Sequence, residues 1–254
     1  MKKIAILQSN YIPWKGYFDF INSVDEFILY DCVQYTKNDW RNRNKIKTIN
    51  GLQWLTIPVH ADLNTKIKDV EVINNIWRKK HWKALVSNYS KSKFFNTYSD
   101  VFEEIYLNNQ DSNLSKINYL FIKKINKILN IKTKILFSEN FYFSGTKTEP
   151  LIDICKQCNA NIYLSGPAAK CYLDKDLFER ENIKIEWMDY SGYKKYEQLH
   201  GDFEHGVSIL DLIFNVGPNY KDYMISFGEK KGKFQLLQLC IVLKNILKNF
   251  IKGF

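Results

Sequence analysis

Apolar residues fall into short runs that alternate with longer stretches of helical spacing. Ile4–Leu7 is an apolar run bounded by polar residues, as expected of a buried central strand. Gln8–Trp14, broken by Pro13, reads as a loop, after which Tyr17, Phe20, Ile21 and Val24 recur at helical spacing. Glu26–Tyr30 is a second strand, so the chain opens as a βαβ unit, which favours a parallel sheet. Asn50-Gly51, flanked by Ile46–Ile49 and Leu52–Val59, predicts a β-hairpin. Ile67–Ile73 reads as a strand, Ile76 to about Leu107 as helix, Leu114–Leu129 as an amphipathic helix and Lys134–Ser138 as a strand.

The second half repeats the alternation. Leu151–Cys158 is a helix, Asn161–Leu164 a strand, Ala168–Lys175 a short helix and Ile183–Trp187 a strand. Ser208 at an N-cap and Asp211 at N3 start a helix that ends before Gly217-Pro218. The predicted fold is α/β: a largely parallel sheet with flanking helices (Rossmann-like), a helical insertion and a C-terminal apolar helix. Residues 1–228 form the predicted domain, and 229–254 a lysine-rich apolar tail. That tail suits peripheral contact with an anionic membrane face, docking on the protein's own core, or a dimer contact.

Composition fits a globular protein, with 45% hydrophobic and 25% charged residues. The formal net charge of +10 implies an anionic partner such as a nucleotide, a nucleic acid or an acidic membrane surface. Five cysteines, an odd number, do not read as a disulfide framework in a chain of 254 residues. Cys155-Lys-Gln-Cys158 has no second CxxC to complete a zinc site, and no metal is expected. The apolar run after Met1-Lys2-Lys3 stops at Leu7, too short for a secretory signal, so a cytoplasmic protein is expected.

Candidate chemistry gathers where strands end. Gln8, Asn10, Tyr11, Trp14 and Lys15 follow the first strand and open the first helix, the position at which doubly wound folds bind ligands. Asp31, Gln34 and Tyr35 follow the second strand, and Arg41, Asn42 and Arg43 add two guanidinium groups suited to phosphate or carboxylate. His81 in Lys80-His81-Trp82 and Asp31 are the candidate general bases. Ser165, Gly166 and Lys170 follow a later strand, and Tyr190 follows the next. No Gly-x-Ser-x-Gly, His-Glu-x-x-His, Gly-x-x-x-x-Gly-Lys or Gly-x-Gly-x-x-Gly motif is present.

These strings resemble the WbqC-like protein family: Gln8-Ser-Asn10-Tyr11-Ile-Pro13-Trp14-Lys-Gly16, Tyr30-Asp31-Cys-Val-Gln34-Tyr35, Trp40-Arg41-Asn42-Arg43-Asn44-Lys45 and Tyr163-Leu-Ser165-Gly166-Pro167-Ala-Ala-Lys170. The resemblance spans roughly residues 3–220 and leaves out the tail. It implies a role in bacterial surface-polysaccharide clusters, including O-antigen loci. The activity it suggests is acyl or aminoacyl transfer to the amino sugar of a sugar nucleotide, drawing on ATP or an activated acyl donor. A fainter similarity joins Trp14-Lys15-Gly16-Tyr17 to the His-x-Gly-His loop of the nucleotidylyltransferase and pantothenate-synthetase superfamily, without its histidines. The alternatives are a nucleic-acid-binding module, motivated by charge and aromatic–basic stretches, and a scaffold that uses the tail on a membrane.

Overall fold

A computed structural model describes residues 1–228. Five strands, β1 (Lys3–Leu7), β2 (Glu26–Leu29), β7 (Lys134–Phe137), β8 (Ile162–Ser165) and β9 (Lys184–Trp187), form one sheet in the order β7-β2-β1-β8-β9. All neighbours are parallel, with Ala5 opposite both Phe27 and Leu164. The chain runs outward from β1 through β2 to β7, then crosses back and runs outward through β8 to β9. The order therefore reverses between β1 and β8, the switch point at which open parallel sheets leave a crevice.

Strand alternation divides the core. Ile4, Ile6 and Ile28 pack on one face with Leu151, Ile154 and Cys155 of α5 (Glu149–Gln157) and Phe178 of α6 (Lys175–Arg180). Ala5, Phe27 and Leu29 pack on the other with α1 (Lys15–Asn22) and the helical insertion. Both faces are covered, which is why the strands read as unbroken apolar runs. The insertion comprises α2 (Ile76–Tyr89), α3 (Phe95–Asn108) and α4 (Leu114–Ile128), against which α7 (Ile209–Val216) also packs. A hairpin, β3 (Arg43–Thr48) with β4 (Gly51–Thr56), stands beside it, and Gly51 takes the positive φ of 98° that its turn requires.

Local readings differ in three places. The stretch read as one helix from Ile76 to Leu107 breaks at residues 90–94 into α2 and α3, letting the two pack antiparallel with Phe94 bonded to the Phe214 carbonyl. Ile67–Ile73 is a single 3-10 turn (Ile67–Asp69) followed by the two-residue strand β6 (Glu71–Val72), paired with β5 (Val59–His60). Ile67 and Val70 are both buried, a three-residue spacing that a strand could not bury on one face. The short helix expected at 168–175 is a 3-10 turn over Pro167–Cys171.

Cys155 and Cys158 are buried as free thiols, and burial pushes the Cys158 thiol up to about 11. Among the described residues no helix is long and apolar enough to cross a membrane. The apolar helix expected over 234–254 lies outside the described residues.

Candidate functional site

The loop after β1 is held by the segment that leads into β3. Tyr11 N donates to the Trp40 carbonyl at 3.0 Å. Asn44 Nδ2 donates to the carbonyls of Tyr11 (3.1 Å) and Ile12 (2.9 Å). Ile12 sits at φ 34°, a conformation that costs a β-branched residue free energy and persists only where the surroundings impose it. This strained turn presents Pro13 and Trp14 to a cavity of about 310 Å³ at the carboxyl end of β1. The cavity is lined by Asn10, Pro13, Trp14, Trp40, Asn44 and Gly206. Arg41 fixes Asn10, with Nη1 donating to Oδ1 at 2.7 Å, while its Nη2 pairs with Asp39 at 3.0 Å.

Behind Trp14 lies Lys15. Its side chain is 3% exposed and its Nζ has no hydrogen-bond partner. The ammonium is caged by rings, 4.5 Å from the Tyr193 centroid, 5.2 Å from Tyr196 and 5.6 Å from Phe203. Two of these tyrosines anchor buried carboxylates: Tyr193 Oη donates to Asp19 (2.5 Å) and Tyr196 Oη to Asp211 (2.7 Å). Burial lowers the Lys15 amine from 10.5 to about 8, against the pull of Asp19 and Asp211. Burial raises both carboxyls, with hydrogen bonds from their donors working the other way. Trp14 packs at 5.7 Å on Tyr193 and 5.3 Å on Tyr190, so Tyr193 both backs the cavity-wall indole and forms part of the lysine cage.

The other candidate residues distribute over neighbouring features. His81 is buried in the insertion, with Nδ1 2.8 Å from Tyr11 Oη, which also meets Tyr106 Oη at 2.6 Å. Burial takes the His81 imidazole down to about 4, offset in part by a hydrogen bond to the Thr56 backbone. Asp31 accepts from Ser9 N at 2.8 Å and from Ser115 Oγ, and borders a separate cavity of about 150 Å³. Gln34, Tyr35 and Asn42 line a third cavity of about 820 Å³. Arg43 lies with its guanidinium 4.3 Å from the Trp54 ring. The Gln8 carbonyl accepts from Tyr17 Oη, Ser165 ends β8 and is buried, Gly166 caps the turn after it, and Lys170 Nζ sits 5.5 Å from the Trp187 ring.

Reading strand ends alone does not find Pro13, Trp40, Asn44 and Gly206 as lining residues, nor the cage from Tyr193, Tyr196 and Phe203. Trp40 and Asn44 were within reach, because they bracket the Arg41/Arg43 pair. The cage comes from an irregular stretch between β9 and α7 that carries no periodicity.

A five-stranded parallel sheet flanked by helices, with a tryptophan-walled cavity beyond the carboxyl end of β1, defines an α/β protein with a candidate ligand site. The WbqC-like protein family matches residues 8–223, and the chain belongs to that family. It is also similar to the uncharacterized protein Rv1507c of Mycobacterium tuberculosis, 48% identical over 226 residues, covering 88% of this chain and 98% of that protein. No solved structure matches it.

Proposed function

We propose that this chain is a cytoplasmic enzyme of bacterial surface-polysaccharide biosynthesis that forms an amide on the amino sugar of a sugar nucleotide. The observation that carries this reading is the cavity between Trp14 and Trp40 beyond the carboxyl end of β1, with Arg41 on its Asn10 and Arg43 and Lys45 flanking its Asn44. Indole faces suit a sugar ring, and Asn10 and Asn44 offer paired donors and acceptors for hydroxyls. The basic surroundings suit phosphate.

Amide formation joins the acceptor nitrogen to an acyl carbon, breaks the bond from that carbon to its activating group, and releases one proton. His81 and Asp31 each engage interior hydrogen bonds, and neither lines this cavity. Lys15 does not line it either, but it adjoins the lining Trp14, has no hydrogen-bond partner at Nζ and has an amine depressed toward neutral pH, which supports it as the group that takes that proton. The acyl group is supplied preactivated, or is activated with ATP.

The test incubates the protein with a panel of UDP- and dTDP-linked amino sugars, ATP and acyl donors, and follows mass. A gain equal to one acyl group, lost in Lys15→Met, is the expected result. No gain across the panel would remove the transferase reading.

A further inference from the structure

The cavity is small for the ligand just proposed. Sites for drug-sized molecules span roughly 300–1,000 Å³, and this one, about 310 Å³, has room for little beyond a sugar residue. The rest of a sugar nucleotide must lie outside it. The surface that continues from the cavity has an unusual make-up.

Trp40 lines the cavity yet is 39% exposed, and its ring lies 5.4 Å from that of Trp54, itself 42% exposed. Lys45 pairs directly opposite Trp54 across the β3–β4 ladder, and Arg43 precedes Lys45 by two residues, so all three share one face. The Lys45 ammonium stands 5.3 Å from Trp54 and 5.9 Å from Trp40, with the Arg43 guanidinium 4.3 Å from Trp54. Arg41 is neutralised by Asp39; among the described residues neither Arg43 nor Lys45 makes an ion pair, and Arg43 Nε is buried without a hydrogen-bond partner. Two partly exposed indoles beside two cations that lack an ion-pair partner and rest on those rings fit a ligand that combines a planar ring with adjacent anionic groups.

We infer that this hairpin face is a nucleoside diphosphate subsite, with the diphosphate held by Arg43 and Lys45 and the base against Trp54. The inference rests on reading the cavity as the sugar site, and it fixes the direction of the substrate: sugar inward past Trp40, nucleotide outward along β3 and β4.

The probes are UDP, dTDP and GDP without any sugar, titrated calorimetrically into the full chain, into Trp54→Ala and into Arg43→Gln/Lys45→Gln. At least one diphosphate should bind the wild type, more tightly than its nucleoside. Affinity should fall about tenfold or more in each variant, which corresponds to about 1.4 kcal/mol. Because the altered side chains are partly or largely solvent-facing, circular dichroism should show the fold intact, and Trp54→Phe should retain most of the binding. No binding at millimolar diphosphate, or affinity equal in wild type and both variants, would overturn the subsite. So would binding of single-stranded oligonucleotides that strengthens steadily with length and exceeds any mononucleotide, which would mark a nucleic-acid surface. If diphosphates bind as described but no acyl group is ever transferred, the subsite stands and the transferase reading falls. Transfer unchanged in both variants would have the reverse meaning.

Discussion

The Trp14 indole occupies the space that a side chain on Gly16 would need: a Cβ there would lie 2.2 Å from Trp14 Cζ2 and 2.6 Å from Cε2. The cavity wall is therefore set by the absence of a methyl group two residues further along α1.

This contact has a sign that can be measured without any ligand. Within a helix, Gly→Ala ordinarily stabilises by about 0.5–1 kcal/mol. Here Gly16→Ala should destabilise, because the ring must leave its packing on Tyr190 and Tyr193. In a Trp14→Ala background the same change should stabilise by about 1 kcal/mol. Urea unfolding of the four proteins in this cycle checks the reversal, and a Gly16→Ala gain of equal size in both backgrounds would refute the steric account.

Lys15 gives a pH-dependent counterpart. Its amine sits at about 8 in the fold against an ordinary 10.5, so the unfolded chain holds the proton more tightly. The penalty is complete below pH 8 and fades as pH rises toward 10.5, amounting to about 3 kcal/mol. Lys15→Met should thus be about 3 kcal/mol more stable than wild type at pH 7, with the gap closing between pH 8 and 10.5. Chemical denaturation across that range measures it.

Why the sheet was readable and the cage was not follows from how each is built. Ile4–Leu7 and Ile162–Ser165 are buried on both faces, so every residue reports the strand. Asn50-Gly51 announces the hairpin through a backbone conformation that glycine alone adopts freely. Asp211 was legible only as an N3 residue. In the fold its carboxylate ignores the helix end and accepts from Tyr89, Tyr196 and Gln198, while Ser208 Oγ accepts from Leu210 N. Tyr193, Tyr196 and Phe203 meet Lys15 from a segment far along the chain. No local spacing encodes such a meeting; it depends on the chain beyond β9, an edge strand separated from β1 by β8, returning to the end of β1.

His81 should make itself felt in acid. Its imidazole is held at about 4 against an ordinary 6.5, mainly by burial, so the unfolded chain binds a proton that the fold refuses. Its contribution to stability is unimpaired above pH 6.5 and declines by about 3 kcal/mol as pH falls toward 4. Asp19 and Asp211, whose carboxyls are raised by burial, act in the opposite direction, so wild type alone does not isolate the histidine. The difference between wild type and His81→Phe does. That difference should shift in favour of the variant as pH drops from 6.5 to 4.5. A difference that stays constant across this window would mean the ring is not held neutral by its surroundings.

The Asp211 carboxylate accepts three side-chain hydrogen bonds inside the core, from Tyr89 (3.0 Å), Tyr196 (2.7 Å) and Gln198 (2.8 Å). An amide of the same shape turns one acceptor into a donor and leaves at least one of these groups facing another donor. Buried unsatisfied groups cost about 1–3 kcal/mol each, so Asp211→Asn should lose about 2–4 kcal/mol. The consequence should reach Lys15, because Tyr196 supplies one ring of its cage and Asp211 helps to hold its charge. In Asp211→Asn the Lys15 amine should therefore become easier to deprotonate. Urea unfolding reads the loss of stability, and amine labelling followed by mass spectrometry compares the pH at which Lys15 reacts in the folded variant and in wild type. An unaltered labelling profile alongside a large loss of stability would confine Asp211 to holding α7 in place.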